Sequence, residues 1–350
     1  MSGTGRYRTK PVIVSAVLLL AGLTLLIFLL FKGGNYNDGS PATSADNRTE
    51  TLRFGLALQP QSGLMIIALH NNYFKDEGLL LELHEYPSGK RALQEGLLTN
   101  AVDVITVSDA PLAFAAFDGV DAKAIATIFN AVNVNRIVGR RSAGIKTPAD
   151  LHGKRIATQR ASAVHYFLHL FLLDNNMTEK DYTPVFMKAE ELPDAISSGS
   201  IDAFSMREPF VSRAMTMLAE DGVMFQAPGL YRQADVVLAG SQLLEQRPHV
   251  AERLLRALLR AETFVRQYPD KSIEITARRL GVDPQRLREI WPQVSLNVTL
   301  EQGFLRLLEN QANWILRSGL RSTKELPNYL DSLHLQALEQ VAPERVTVIH

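Results

Sequence analysis

The residues best suited to hold a ligand sit at four places where an apolar run breaks into a polar turn and a helix begins. They are Gln61, Ser62 and Gly63; Ser108 and Asp109; Arg160, Ala161, Ser162 and Ala163; and Glu208, just before Pro209. A strand-to-helix junction aims free backbone N–H groups, and the positive end of the helix dipole, beyond the strand's carboxyl end. In an open α/β sheet that edge is where ligands lie. The fullest example is 153–175. Residues 156–158 form a short apolar strand and Ser162 is a good N-cap. Val164, Phe167, Leu168, Phe171 and Leu172 then recur at helical spacing. Tyr166, with Phe167 and Phe171 at helical spacing, is more simply a core residue, although in the first turns it could reach the same edge.

Backbone N–H groups with the hydroxyls of Ser62, Ser108 and Ser162 suit an oxyanion, and Arg160 places a charge near the mouth. Asp109 and Glu208 work the other way. As simple caps they offset the dipole; facing a ligand they would orient an amine or N–H. Together they predict a mixed polar pocket rather than a bare anion hole. Acid–base catalysis by that pair is the less economical reading.

Other chemistries are weakly supported. His165 and His169 are spaced i, i+4, compatible with zinc, but no third ligand and no HExxH glutamate accompany them. No P-loop, GxGxxG or Ser-His-Asp order is present, and there is no cysteine. No cofactor and no metal are expected. Lys+Arg and Asp+Glu both number 37, without the basic surplus of a nucleic-acid binder.

Strands are predicted at 52–58, 79–86, 102–107 and 124–129, with helices between them. A second α/β unit follows, with strands at 156–158, 184–187 and 203–206. Thr147 and Thr178 are read as caps, and 136–140 as an extended crossing segment. A strand at 236–239 returns the chain to the first unit, and amphipathic helices at 249–268 and 300–316 cover it. Strand–helix alternation of this kind gives a mostly parallel sheet with helices on both faces.

Residues 12–31, VIVSAVLLLAGLTLLIFLLF, are apolar and uncharged. As a helix they would span a ~30 Å hydrocarbon core. Arg6, Arg8 and Lys10 precede the run and only Lys32 follows closely. The positive-inside bias then leaves 1–11 in the cytoplasm and the bulk of the chain outside. The run is longer than the apolar core of a secretory signal peptide, so an uncleaved anchor is expected. Residues 32–51 are polar and rich in Gly, Ser and Asn, the composition of a flexible tether.

Several motifs, in order, resemble the periplasmic solute-binding proteins of ABC importers for sulfonates, nitrate and taurine. They are Phe74-Lys75-Asp76-Glu77-Gly78-Leu79, the helix over 93–103 ending before a buried Val-Asp, 145–155, 161–167, and 196–210 with its terminal Glu208-Pro209. The resemblance covers about 52–316. It implies a two-lobed α/β fold of the type II periplasmic-binding-protein kind, with two crossing strands closing on ligand like a hinge, here preceded by one transmembrane helix. It places lobe 1 at 52–135 and 236–330, lobe 2 at 136–235, and a C-terminal helix and tail at 331–350. Its implied ligand-facing positions are Ser62, Gly63, Ser108, Asp109, Ser162, Ala163 and Glu208. Two departures stand out. The family often has Gly where Ala161 stands, and often Trp where Met206 or Arg207 stands.

The implied function is a binding protein, not an enzyme. It would be anchored in the inner membrane with its C-terminal domain in the periplasm or extracellular space, passing a small polar solute to ABC permease and ATPase subunits. A binder of a thiamine- or riboflavin-type precursor, a menaquinone-type lyase on the same fold, and a sensory lobe are the alternatives. The Cys-rich signature of the related thiamine-pyrimidine synthases is missing.

Overall fold

The structure, a computed structural model, describes Met1, Gly3 and residues 49–323 and 325–349. The anchor expected over 12–31 and nearly all of the tether lie outside the described residues. Among the described residues no helix is long and apolar enough to cross a membrane.

From residue 49 the chain builds two sheets. In the first, β1 (Glu50–Ala57), β2 (Leu79–Tyr86), β3 (Val104–Ser108) and β4 (Ala122–Ala131) are laid down in sequence. The chain then crosses through 132–135 and builds β5 (Arg136–Arg140), β6 (Arg155–Thr158), β7 (Thr183–Phe186), β8 (Ala203–Met206) and β9 (Gly222–Phe225). It crosses back through 226–232 into β10 (Gln233–Gly240), and β11 (Val294–Ser295) closes the first sheet. The sheet orders are β11-β4-β10-β3-β1-β2 and β7-β6-β8-β5-β9.

Burial explains the central positions. All five residues of β3, and all of β10 except Gly240, are buried. Strands covered on both faces read as continuous Val, Ile, Leu and Ala runs, as these do. The pairing β1–β3 is parallel, whereas β10 runs antiparallel to both β3 and β4. This reversal follows from the double crossing, because β10 enters lobe 1 from the far side. The segment 136–140, expected as a crossing, is extended but lies inside the second sheet, antiparallel to β8 and β9. Its Ile137 and Val138 are fully buried, and a bare connection would leave them wet.

Eight helices matter for the site: α1 (Gly63–His70), α2 (Asp109–Phe117), α3 (Ala163–Asp174), α4 (Phe210–Leu218), α5 (Pro248–Gln267), α6 (Pro269–Leu280), α7 (Pro284–Ile290) and α8 (Gln302–Arg317). Helix α5 packs on α1, and α8 packs on α2. The Thr147 cap closes a full capping box with Asp150 on a single 3-10 turn. The Thr178–Asp181 pair also bonds, at 2.8 Å from the Thr178 N–H, but it closes a turn and no helix follows. The C-terminal helix spans Gln336–Val341.

Candidate functional site

Four polar junctions lie at the carboxyl ends of β1, β3, β6 and β8. After β1, the chain turns through Pro60–Ser62 into α1. Gln59, Gln61 and Ser62 are all buried. The Ser62 hydroxyl bonds to Thr106 Oγ1 at 2.9 Å, and Thr106 Oγ1 in turn accepts the Ala57 N–H. Ser62 is therefore committed to the β1–β3 seam. Gly63 packs under Leu296, whose nearest carbon would stand 3.1 Å from any Cβ added there.

After β3, Ser108 is extended and makes no side-chain cap. Asp109 is fully buried, and its carboxylate accepts from the Ala110 N–H at 2.6 Å, the Ala234 N–H at 2.8 Å, and the Tyr231 hydroxyl. Burial pushes this carboxyl up, and hydrogen bonds from Ala234, Tyr231, Gln311 and Ala110 pull it only part of the way back. Asp109 thus clamps the start of α2 to the returning chain at 231–234. It does not present a free oxygen to a ligand.

After β6, the turn through Arg160 and Ala161 reaches Ser162. The Ser162 Oγ caps α3 by accepting the His165 N–H and donates to the Gln159 carbonyl. Ala161 takes φ +53°, a left-handed conformation costing an alanine roughly 1–2 kcal/mol. That strain is the physical reason a glycine suits this position. His165 accepts the Ala161 N–H at Nδ1 and lies between the rings of Phe186 and Trp314. Burial lowers it to about 4, so its imidazole is neutral. His169 Nδ1 instead bonds Glu179, at 2.6 Å, and no metal-holding cluster occurs among the described residues. Tyr166 faces away from the crevice. It packs on Tyr231 and Trp314 and lines a separate cavity of about 350 Å³ with Asn130, Arg232, Phe304 and Arg306.

After β8, Arg207 and Glu208 precede α4. The Glu208 carboxylate accepts from the Ser212 N–H and hydroxyl, at 3.2 and 2.7 Å. It is a helix cap, half-buried at the rim. Arg207 is only 5% exposed, and its Nη2 donates to Gln59 Oε1 of lobe 1 at 3.0 Å.

Two other contacts join the lobes across the same line. Lys90 Nζ donates to the Arg160 carbonyl, and Arg91 Nη1 meets Glu190 at 3.4 Å. Burial, with help from Arg160, lowers Lys90 to about 8. Arg136 spends Nη1 on the Asn133 and Asn135 carbonyls and the Asn133 side chain.

The crevice holds two adjoining hollows. A narrow one of about 30 Å³ lies among Pro60, Gln61, Arg136, Arg207 and Glu208. It shares Pro60 and Glu208 with a larger chamber of about 370 Å³ walled by Leu58, Pro209, Leu280 and Leu287. Beside the narrow one, three buried side-chain atoms find no partner among the described residues: Gln59 Nε2, Gln61 Oε1 and Arg207 Nε. Buried polar atoms are costly to leave unpaired, so these three are groups that a polar ligand could satisfy.

The sequence names Gln61, Arg160 and Glu208 as ligand candidates; the structure also brings Gln59, Lys90, Arg136 and Arg207 to the line where the lobes meet, and the sequence did not single these out. One signal was available for Arg207. A charged residue directly ends the buried Ala203–Met206 strand, where solvent-facing residues are not expected.

A family model described as NMT1/THI5 like matches residues 59–272, which span all four junctions. The chain belongs to the NMT1/THI5-like family. Among curated relatives, an aliphatic sulfonates-binding protein of Bacillus subtilis (strain 168) is 23% identical over 304 residues, covering 85% of this chain and 90% of its own. Among solved structures, the alkanesulfonate-binding protein SsuA from Xanthomonas axonopodis pv. citri, bound to MOPS, superposes with a TM-score of 0.71 at 20% identity. That match covers 82% of this chain and 99% of SsuA. The desulfurization enzyme DSZB also shares the fold, with a TM-score of 0.60, 16% identity, and coverage of 84% and 99%. The two-lobed α/β periplasmic-binding architecture is therefore that of this NMT1/THI5-like chain.

Proposed function

We propose that this protein is the solute-binding component of an ABC importer for small sulfonates, held at the outer face of the cytoplasmic membrane by residues 12–31. The observation that carries the reading is the crevice itself. Groups from both lobes meet there, and buried donors from each are left unpaired. A ligand that pairs with both sides favours the closed arrangement by its differential affinity.

The cations at the crevice outnumber its free acids. Arg207, Arg136, Lys90 and Arg160 lie around it; the Asp109 and Glu208 carboxylates accept internal donors, Glu208 stands beside Arg136, and the buried Asp235 lies near Arg207 and accepts from Gln233. The mixed amine-accepting pocket expected from those two acids gives way to a cationic one. The sulfonate-binding names of the relatives agree with this chemistry. At the crevice, Ser162 Oγ donates to a carbonyl rather than to an imidazole, so Ser162 is not an activated nucleophile.

The test is uptake. Cells lacking this chain should lose uptake of a labelled alkanesulfonate and regain it when the full chain is restored. A version lacking residues 12–31, fitted with a cleavable export signal, should be released in soluble form. Undiminished uptake in cells lacking the chain would refute the transport role. Membrane retention of the truncated form would refute the anchor.

A further inference from the structure

We propose that Arg207 is the specificity-determining residue of the crevice: its guanidinium receives the oxyanion of the solute, and Gln59 stands in for that oxyanion in the empty protein. The inference rests on the solute-binding reading above and assigns a residue to it.

Nε and Nη2 lie on one edge of a guanidinium, the edge that meets a carboxylate or sulfonate with two parallel hydrogen bonds. In Arg207, Nη2 is taken by Gln59 Oε1 at 3.0 Å, while Nε on the same edge is buried without an acceptor. Here the single amide oxygen meets only one of the two donors. An oxyanion has the oxygens to satisfy both. Gln59 Nε2 is also a buried donor without a partner. When the oxyanion takes the Arg207 edge, the Gln59 amide can turn and donate to it from lobe 1. The same ligand then bridges the lobes through the pair of residues that bridge them already.

The other cations are less well placed for this work. Arg136 gives its Nη1 to the crossing segment and stands beside Glu208, which offsets its charge. Arg160 is exposed and stacks its guanidinium 5.3 Å from the centre of the Phe186 ring. Lys90 donates to the Arg160 carbonyl. Arg207 also borders the narrow hollow, which shares Pro60 and Glu208 with the larger chamber, and we place the rest of the solute on that side.

The experiment compares hexane-1-sulfonate with hexane-1-sulfonamide, which has the same body without the charge, by calorimetric titration of the full-length protein and its variants. The native protein is expected to prefer the sulfonate by about 100-fold, the scale of a charged, paired contact. In Arg207→Met that preference should fall to within about threefold. Arg207→Lys keeps the charge but loses the two-donor edge, and should retain a preference of roughly tenfold. It serves as the folded control, with its melting temperature read alongside. A merely structural role for Arg207 weakens both ligands together and leaves the ratio unchanged; that result overturns the assignment while the sulfonate reading stands. Failure of the native protein to bind either compound removes the sulfonate reading itself, and this role with it.

Discussion

Asp109 offers a sharp test of how structural and ligand roles are separated. Its carboxylate accepts from the Ala110 and Ala234 N–H groups and from the Tyr231 hydroxyl, all buried. Asp109→Ala strands the Ala234 and Tyr231 donors in the core. Each buried orphan costs about 1–3 kcal/mol, giving roughly 2–6 kcal/mol. Removing a buried carboxylate relieves desolvation, which works against that loss. That relief offsets part of the cost of the stranded donors, so a net loss of about 3 kcal/mol is expected. At about 2–4 °C per kcal/mol for a domain of this size, the melting temperature should fall by about 6–12 °C. Chemical denaturation of the full-length variant in urea, with a melting curve, reads both values. An Asp109→Ala variant that melts within about 2 °C of native, yet no longer binds solute, would refute the clamp and return Asp109 to the ligand list.

Other perturbations probe neighbouring parts of the account. Asp235 is fully buried, and burial raises its carboxyl to about 6. The folded state therefore holds this proton more tightly than the unfolded chain, so the penalty is absent in acid and grows as pH rises through about 6. Asp235→Asn should remove about 3 kcal/mol of the stability decline between pH 4 and pH 8, measured by urea unfolding at both. Gly89→Ala should destabilise by about 1–3 kcal/mol, since its Cβ would lie 2.7 Å from Val107 Cα and 2.8 Å from the Thr106 carbonyl oxygen. It should also weaken sulfonate binding, because the displaced turn carries Lys90. Trp314 packs on Phe114 of lobe 1 and on His165 and Tyr166 of lobe 2. Trp314→Ala should cost about 3–5 kcal/mol and enlarge the radius of gyration measured by small-angle scattering.

The legible parts of this fold were the local ones. An apolar run followed by Ser162 and a 3.6-residue rhythm needs only its own neighbours to declare a capped helix. The Thr147–Asp150 box is equally local. The roles of Asp109 and Arg207 were not legible because their partners are distant in the chain. Asp109 finds Tyr231 and Ala234 at separations of 122 and 125 residues, and Arg207 meets Gln59 at a separation of 148. An acid at a helix start looks the same whether it caps, clamps or binds until those partners are known. The segment 136–140 was misplaced for a related reason. A short apolar stretch between two arginines fits any extended chain, and only its pairing with β8 and β9 makes it a sheet strand.

The central claim is that one anionic solute closes the crevice between the lobes. Small-angle scattering of the full-length protein, titrated with hexane-1-sulfonate, tests it most directly. The account predicts a saturable decrease in radius of gyration that reaches its end point at one sulfonate per chain. A radius unchanged by saturating sulfonate, or one that shrinks equally with the uncharged sulfonamide, would contradict it.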